Sequence, residues 1–216
     1  MRKPNNKYFF TVEGQTEKWY LEWLANVINL SPEACCTVSI DCKVDKNPFH
    51  RAKSLKVLDQ TEIWHFCDYE SDDPQHVKEF LSVIDSMKKA EEIKTIDYKF
   101  GYSNLTFDLW MILHKTACNN SIADRKNYLS HINRAYSEKF DGMDEYKEED
   151  NFKRCLSKLT INDVKCAIER AEAIMKHNED NGYKLQEYKT FHYYKENPSL
   201  QIWIAIKKML SDSGLL

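Results

Sequence analysis

Glycine and proline are scarce, five of each in 216 residues, which excludes a collagen-like or loop-dominated chain. There is no low-complexity tract and no internal repeat at solenoid spacing. No window approaches the roughly 18–20 apolar residues that cross a bilayer. The basic start, MRKPNNKYFF, runs into no long apolar stretch of the kind a secretory leader carries. No cysteine pair has C-x-x-C spacing, and the seven cysteines, Cys35, Cys36, Cys42, Cys67, Cys118, Cys155 and Cys166, are odd in number. That argues against a disulfide scaffold and a zinc module and fits a reducing cytoplasm. Neither a G-x-x-x-x-G-K-[ST] phosphate loop nor a G-x-S-x-G elbow is present, so the chain is not itself a P-loop ATPase. Nor is there a surplus of positive charge: 31 Lys and Arg against 34 Asp and Glu leave −3. The basic excess of many nucleic-acid-binding domains is therefore missing. A carboxylate cluster that takes up a cation reverses its local sign, so this balance does not exclude a nucleic-acid partner. The expectation is a soluble, cytoplasmic chain without a membrane anchor, long enough to bury a full core.

What is present is alternation of short apolar runs with helical periodicity. Lys7-Tyr8-Phe9-Phe10-Thr11-Val12 reads as a buried strand ending at Glu13-Gly14. Trp19, Tyr20, Trp23, Leu24, Val27 and Ile28 then recur at helical spacing, with Thr16 as an N-cap candidate. Residues 37–44 alternate as a strand, and 49–59 suit a short helix. Residues 62–67 form a third strand running into Asp68-Tyr69-Glu70, and Pro74 opens a helix carrying Val77, Phe80, Leu81, Ile84 and Met87. Residues 95–100 make a fourth strand, after which Gly101 to Asn104 turn into a helix with Phe107, Trp110, Met111 and His114. Strands alternating with helices predict an α/β fold, with a mainly parallel four-stranded sheet flanked by helices. The second half has helical spacing at 124–137, 148–157 and 161–178, an acidic connection at 141–150 and a last helix after Asn197-Pro198-Ser199. It offers no convincing strand. The expected organisation is an α/β core over 1–115 with a helical extension over 116–216 packed on it as one structural unit.

In parallel sheets functional groups gather beyond the carboxyl ends of the strands, and this chain puts acids there. Glu13 follows the first strand, and Glu17 lies one helical turn on, where both carboxylates can face one side; complementing the helix dipole would equally account for Glu17. Asp68 and Glu70 are two apart in an extended segment, so both can reach one hard cation. An acidic loop capping the helix at Pro74 is the other reading. Two carboxylate groups brought to one edge of a sheet repel, and a cation is the usual compensation. Ser103 and Asn104 suit N-caps and Asp108 an early-helix acid. His114 lies beside an apolar helix face, where a packed histidine is the commoner outcome. His192, with Tyr193, Tyr194 and Lys195, could meet nucleic acid through aromatic and basic groups or simply lead into the last helix.

Val12-Glu13-Gly14-Gln15-Thr16-Glu17 after a strand resembles the opening motif of the RloB-like family. Asp68-Tyr69-Glu70 resembles its second acidic motif, and the segment Ser103 to His114 resembles its third, written S-N-P-x-F-E-L-W-x-L-L-H. Asn197-Pro198-Ser199 is similar to the closing motif. The resemblance implies a Toprim-type domain, a metal-dependent nuclease acting on DNA or RNA in bacterial phage defence or abortive infection, and an ABC-type or AAA-type ATPase partner, with oligomerisation possible. By the same resemblance Glu13 is the general acid/base, and Mg²⁺ or Mn²⁺ is held by Asp68 and Glu70 with Glu17 and Asp108. Ser103, Asn104, His114, His192 and Asn197 would support the metal site or touch substrate. The chain departs from the pattern at Glu70, where Asp is typical, at Asp108, where Glu is typical, and at Leu105, where Pro is usual. A non-catalytic docking subunit of an ATPase-containing complex is the alternative function.

Overall fold

The computed structural model describes residues 3–56, 59–122 and 124–216. Its centre is a four-stranded sheet in the order β2-β1-β3-β4, every neighbouring pair parallel. Strand β1 spans Asn5–Val12, β2 Thr37–Val44, β3 Thr61–Tyr69 and β4 Ile96–Asn104. Helices α1 (Gln15–Leu30), α2 (Pro48–Ser54) and α3 (Pro74–Ile93) supply the crossovers, and α4 (Asp108–Leu113) leaves the sheet after β4. The expected α/β architecture is the observed one. Within β3, Ile63 to Cys67 are all buried, as befits a strand covered on both faces.

The two faces carry separate cores. Phe10, Val12, Trp64 and Phe66 pack with α1, α4 and the helices of the second half, α5 (Tyr128–Tyr136), α7 (Glu149–Leu156), α8 (Ile161–Asp180) and α9 (Ile202–Asp212). Short helix α6 (Met143–Tyr146) adds Tyr146 to the same cluster. Ile63, Cys67, Tyr69, Tyr98 and Tyr102 pack on the opposite face with α2 and α3. Gly101 belongs to the first face: a Cβ there would lie 2.7 Å from the Phe66 ring and 3.4 Å from the Cα of Ile202. Its bare backbone lets both close on β4.

The structure corrects the expected element boundaries in four places. Strand β3 continues through Asp68 and Tyr69, and β4 continues to Asn104 instead of turning at Gly101. The reason is pairing, with Asp68 opposite Ser103 and Tyr69 opposite Asn104. On the outer edge of β4, residues 199–201 run antiparallel: Asn104 N donates to Ser199 O at 2.9 Å and Gln201 N to Tyr102 O at 2.8 Å, around a Ser103–Leu200 bridge. The second half also holds an antiparallel hairpin, β5 (Gln186–Tyr188) with β6 (Phe191–Tyr193), where no strand was expected. Its three-residue strands are too short to display a period, and they hold by inserting Phe191 and Tyr193 into the α3 side of the core. The acidic connection at 141–150 contains α6 and the start of α7.

Candidate functional site

The chain leaves β1 at Val12 and enters α1 at Gln15, which leaves Glu13 at the sheet's carboxyl edge. Glu13 is half-buried, and its Oε2 accepts the backbone N–H of Asp68 at 3.3 Å. Gly14 occupies the N-cap of α1, in extended conformation, with no side-chain cap. The expectation that Thr16 caps this helix is therefore corrected. Its hydroxyl donates instead to Glu17 Oε2 at 2.7 Å. A Cβ on Gly14 would come within 2.8 Å of that same carboxylate oxygen, so the glycine gives Glu17 room to fold back. Glu17 is 6% exposed. Burial pushes its carboxyl above the ordinary range, against the Thr16 hydrogen bond and the charge of Lys147.

Asp68 stands at the end of β3. Burial, and then the charges of Glu17 and Glu13, push it well above the usual carboxylate range, with Arg125 opposing and Asp108 adding a smaller upward push. Glu13 itself is raised to about 7, chiefly by burial. Asp108 opens α4 and is 1% exposed. Its Oδ2 accepts the Thr106 hydroxyl at 2.7 Å and lies 3.3 Å from Lys147 Nζ, while its Oδ1 is buried without any hydrogen-bond partner. Glu70, just past β3, faces His76 Nε2 at 3.6 Å and Arg125 at 3.9 Å. Glu13, Asp68 and Glu70 line a cavity of about 240 Å³ with Lys46, His76 and Glu79.

The fold thus brings all five acids singled out in the sequence to one edge of the sheet, within reach of one another's charge. The other candidates are placed differently. Ser103 is buried beside Asp68 in the sheet register, its Oγ unpartnered. Neither Ser103 nor Asn104 caps a helix, which corrects that expectation: the residue before α4 is Phe107, with no side-chain cap. Asn104 Nδ2 instead donates to Ser199 Oγ at 2.7 Å and to the Glu196 carbonyl at 2.8 Å. Asn197 ties the same loop to the helical half, accepting from Tyr128 Oη at 3.3 Å and donating to Ile122 O at 2.7 Å. His114 is packed, its ring nitrogens at 3.0 Å from Tyr20 Oη and 2.9 Å from the Trp110 carbonyl. Burial holds its pKa down at about 4. His192 sits on β6 opposite Glu187 and opens on another cleft, beside Lys88 and Lys99.

Sequence reading missed the cations. Arg125 lies 3.6 Å from Asp68 and Lys147 reaches Asp108, both from the helical half, while Lys46 follows β2. No motif announces them; only the tertiary fold carries residues 125 and 147 to the sheet edge. Among the described residues, no three His, Cys, Asp or Glu side chains stand close enough to form a ready ligand shell. The acids spread onto neighbouring cations instead, Asp68 and Glu70 onto Arg125 and Asp108 onto Lys147. The donor set still fits a hard divalent ion: it is all carboxylate oxygen, and Asp108 Oδ1 is a buried acceptor without a donor.

Among known proteins, no curated sequence and no solved structure matches the chain. The family profile described as RloB-like protein matches residues 8–209. That span runs from β1 into α9 and takes in all five acids and the loop that locks β4. The chain belongs to the RloB-like protein family.

Proposed function

We propose that this protein is a divalent-metal-dependent nuclease, acting on DNA or RNA in bacterial phage defence beside an ATPase partner. The single observation that carries the reading is the convergence of Glu13, Glu17, Asp68 and Asp108 from three separate segments on one buried spot. There burial and the neighbouring carboxylates push Glu13, Glu17 and Asp68 upward, and Asp108 Oδ1 has no hydrogen-bond partner among the described residues. Gathering four acids, Glu17 and Asp108 fully buried and Glu13 and Asp68 partly so, costs several kcal/mol unless a cation compensates. The parallel sheet with acids at its carboxyl edge also supports the Toprim-type reading.

Asp68 and Glu70 would hold Mg²⁺ or Mn²⁺, with Glu17 and Asp108 behind them. Such an ion supplies charge neutralisation and stabilises negative charge developing on a phosphoryl group. Glu13 titrates near neutrality, so it can take a proton from an attacking water and return one to a leaving oxygen at physiological pH. Thr106 and Lys147 fix Asp108, and Thr16 fixes Glu17, so these carboxylates need little reorganisation. A non-catalytic docking role is the second reading, favoured by the spread of the acids onto Arg125, Lys147 and His76.

The test is cleavage of plasmid, single-stranded DNA and total tRNA with Mg²⁺ or Mn²⁺, wild type beside Glu13→Ala and Asp68→Ala. Both variants are expected to lose about 10²-fold or more in rate. Cleavage at the wild-type rate by purified Asp68→Ala protein would remove the mechanism. A wild type that binds neither Mg²⁺ nor Mn²⁺ by calorimetry, yet binds an ATPase tightly, would establish the docking role.

A further inference from the structure

We propose that Arg125 is the phosphate-gripping residue of this site, resting on Asp68 and Glu70 and turning to a substrate phosphate once those carboxylates engage a divalent cation. The inference rests on the nuclease reading above and assigns a residue from outside its acidic set. Arg125 lies in a 3-10 turn, Arg125–Asn127, closed by the Asp124 side chain, which accepts from Lys126 N at 2.8 Å. Its guanidinium spans two of the expected metal ligands, one nitrogen 3.6 Å from Asp68 Oδ2 and another 3.9 Å from Glu70 Oε2. Both distances exceed a hydrogen bond, so these are charge contacts that commit no donor.

The hydrogen bond made by that side chain goes to the Leu105 carbonyl, at 3.4 Å. A guanidinium has five N–H donors in a planar fork, which leaves most of them available for the two oxygens of a phosphate. At 46% exposure the side chain also faces solvent, from where a phosphodiester would arrive. Lys147 makes the contrast. It is bound to a carboxylate that is 1% exposed, so moving it would strand a buried charge. The Leu105 carbonyl belongs to the turn that leads from β4 to Asp108, so Arg125 is tethered to the same segment as one of the acids. In that place it can neutralise the carboxylates while they lack a cation, and grip phosphate when they have one.

The experiment uses the full chain and three variants of one residue: Arg125→Gln, Arg125→Lys and Arg125→Ala. Mn²⁺ binding is read by calorimetry, and binding of a labelled single-stranded oligonucleotide and of labelled tRNA by anisotropy in Ca²⁺ across a salt series. Arg125→Gln is expected to bind Mn²⁺ as tightly as wild type or tighter. It should lose about five- to tenfold in nucleic-acid affinity, and its salt slope should fall by about one. Arg125→Lys is expected to keep the slope and recover part of the affinity, and Arg125→Ala to behave as the Gln variant does. Unchanged nucleic-acid affinity and salt slope in Arg125→Gln, beside a wild type that binds both ligands, would overturn the proposal and leave the nuclease reading standing. So would joint loss of Mn²⁺ binding and melting temperature, which marks a structural residue. A wild type that binds neither Mn²⁺ nor nucleic acid would bring down both.

Discussion

At the scale of single residues, Glu13 and Leu105 make opposite kinds of demand. Glu13 has a folded pKa of about 7 against an ordinary 4.5, so between those values the native chain binds more protons than the unfolded one. Stability contributed at this position therefore falls as pH rises through that window and stays low above it. Glu13→Gln removes the penalty. In melts without metal, the variant's gain over wild type is expected to grow from about pH 5 to about pH 8, reaching about 1–2 kcal/mol for a half-buried group. A gain that is flat with pH would show that burial does not raise this carboxyl. Leu105 adopts φ 62°, in the left-handed region that L-residues avoid, and its N–H donates to Tyr69 O at 2.8 Å. Proline, usual here in the RloB-like pattern, fits neither condition: its ring fixes φ near −65° and it has no N–H. Leu105→Pro is accordingly expected to cost about 3 kcal/mol or more, read as a lower urea midpoint, although it moves the chain toward the family pattern.

At the scale of elements, the lock on β4 is the point of leverage. The Asn104 amide has two hydrogens, and its shortest contacts are Ser199 Oγ and the Glu196 carbonyl. Asn104→Ala removes both bonds, leaving the Ser199 hydroxyl its contact with the Tyr194 carbonyl and the partly buried Glu196 carbonyl without this donor, so a loss of about 1–3 kcal/mol is expected. Partial recovery by Asn104→Asp would argue against an amide donor at this place. The sheet itself was legible because β1, β2 and β3 declare themselves by unbroken or alternating apolar runs. The ends of β3 and β4 were not, since Asp68 to Glu70 and Gly101 to Asn104 carry the residue types of turns. Pairing with β3 on one side and with residues 199–201, distant in sequence, on the other keeps β4 extended. The five acids were legible for a related reason: each lies at or just past the end of a strand or at a helix start, where side chains converge irrespective of packing detail. Arg125, Lys147 and Lys46 were not, because helical periodicity does not say which turn of a helical half returns to the sheet.

At the scale of the whole molecule, one apolar cluster runs from β1 through α4 to α9, so both halves of the chain share a core. A chain ending after Tyr193 would hold all five acids and both Arg125 and Lys147. It would lack the strand partner of β4 and the buried face of α9, Ile202, Ala205, Ile206, Met209 and Leu210. Burial of these side chains is worth about 1.5–3 kcal/mol each for the larger ones, comparable with the entire stability of a domain. The truncated chain is expected to bind hydrophobic dye and to lack a cooperative melt; a sharp melt near that of the full chain would show that the lock is dispensable. The lock also imposes an order in time. Asn104 finds its partners 92 and 95 positions later in the chain, so while the polypeptide is still being threaded out of a ribosome the strand leading to Asp108 has β3 on one side and lacks its partner on the other. The carboxylates are translated early, and the segment that closes the outer edge of their sheet is translated after all of them.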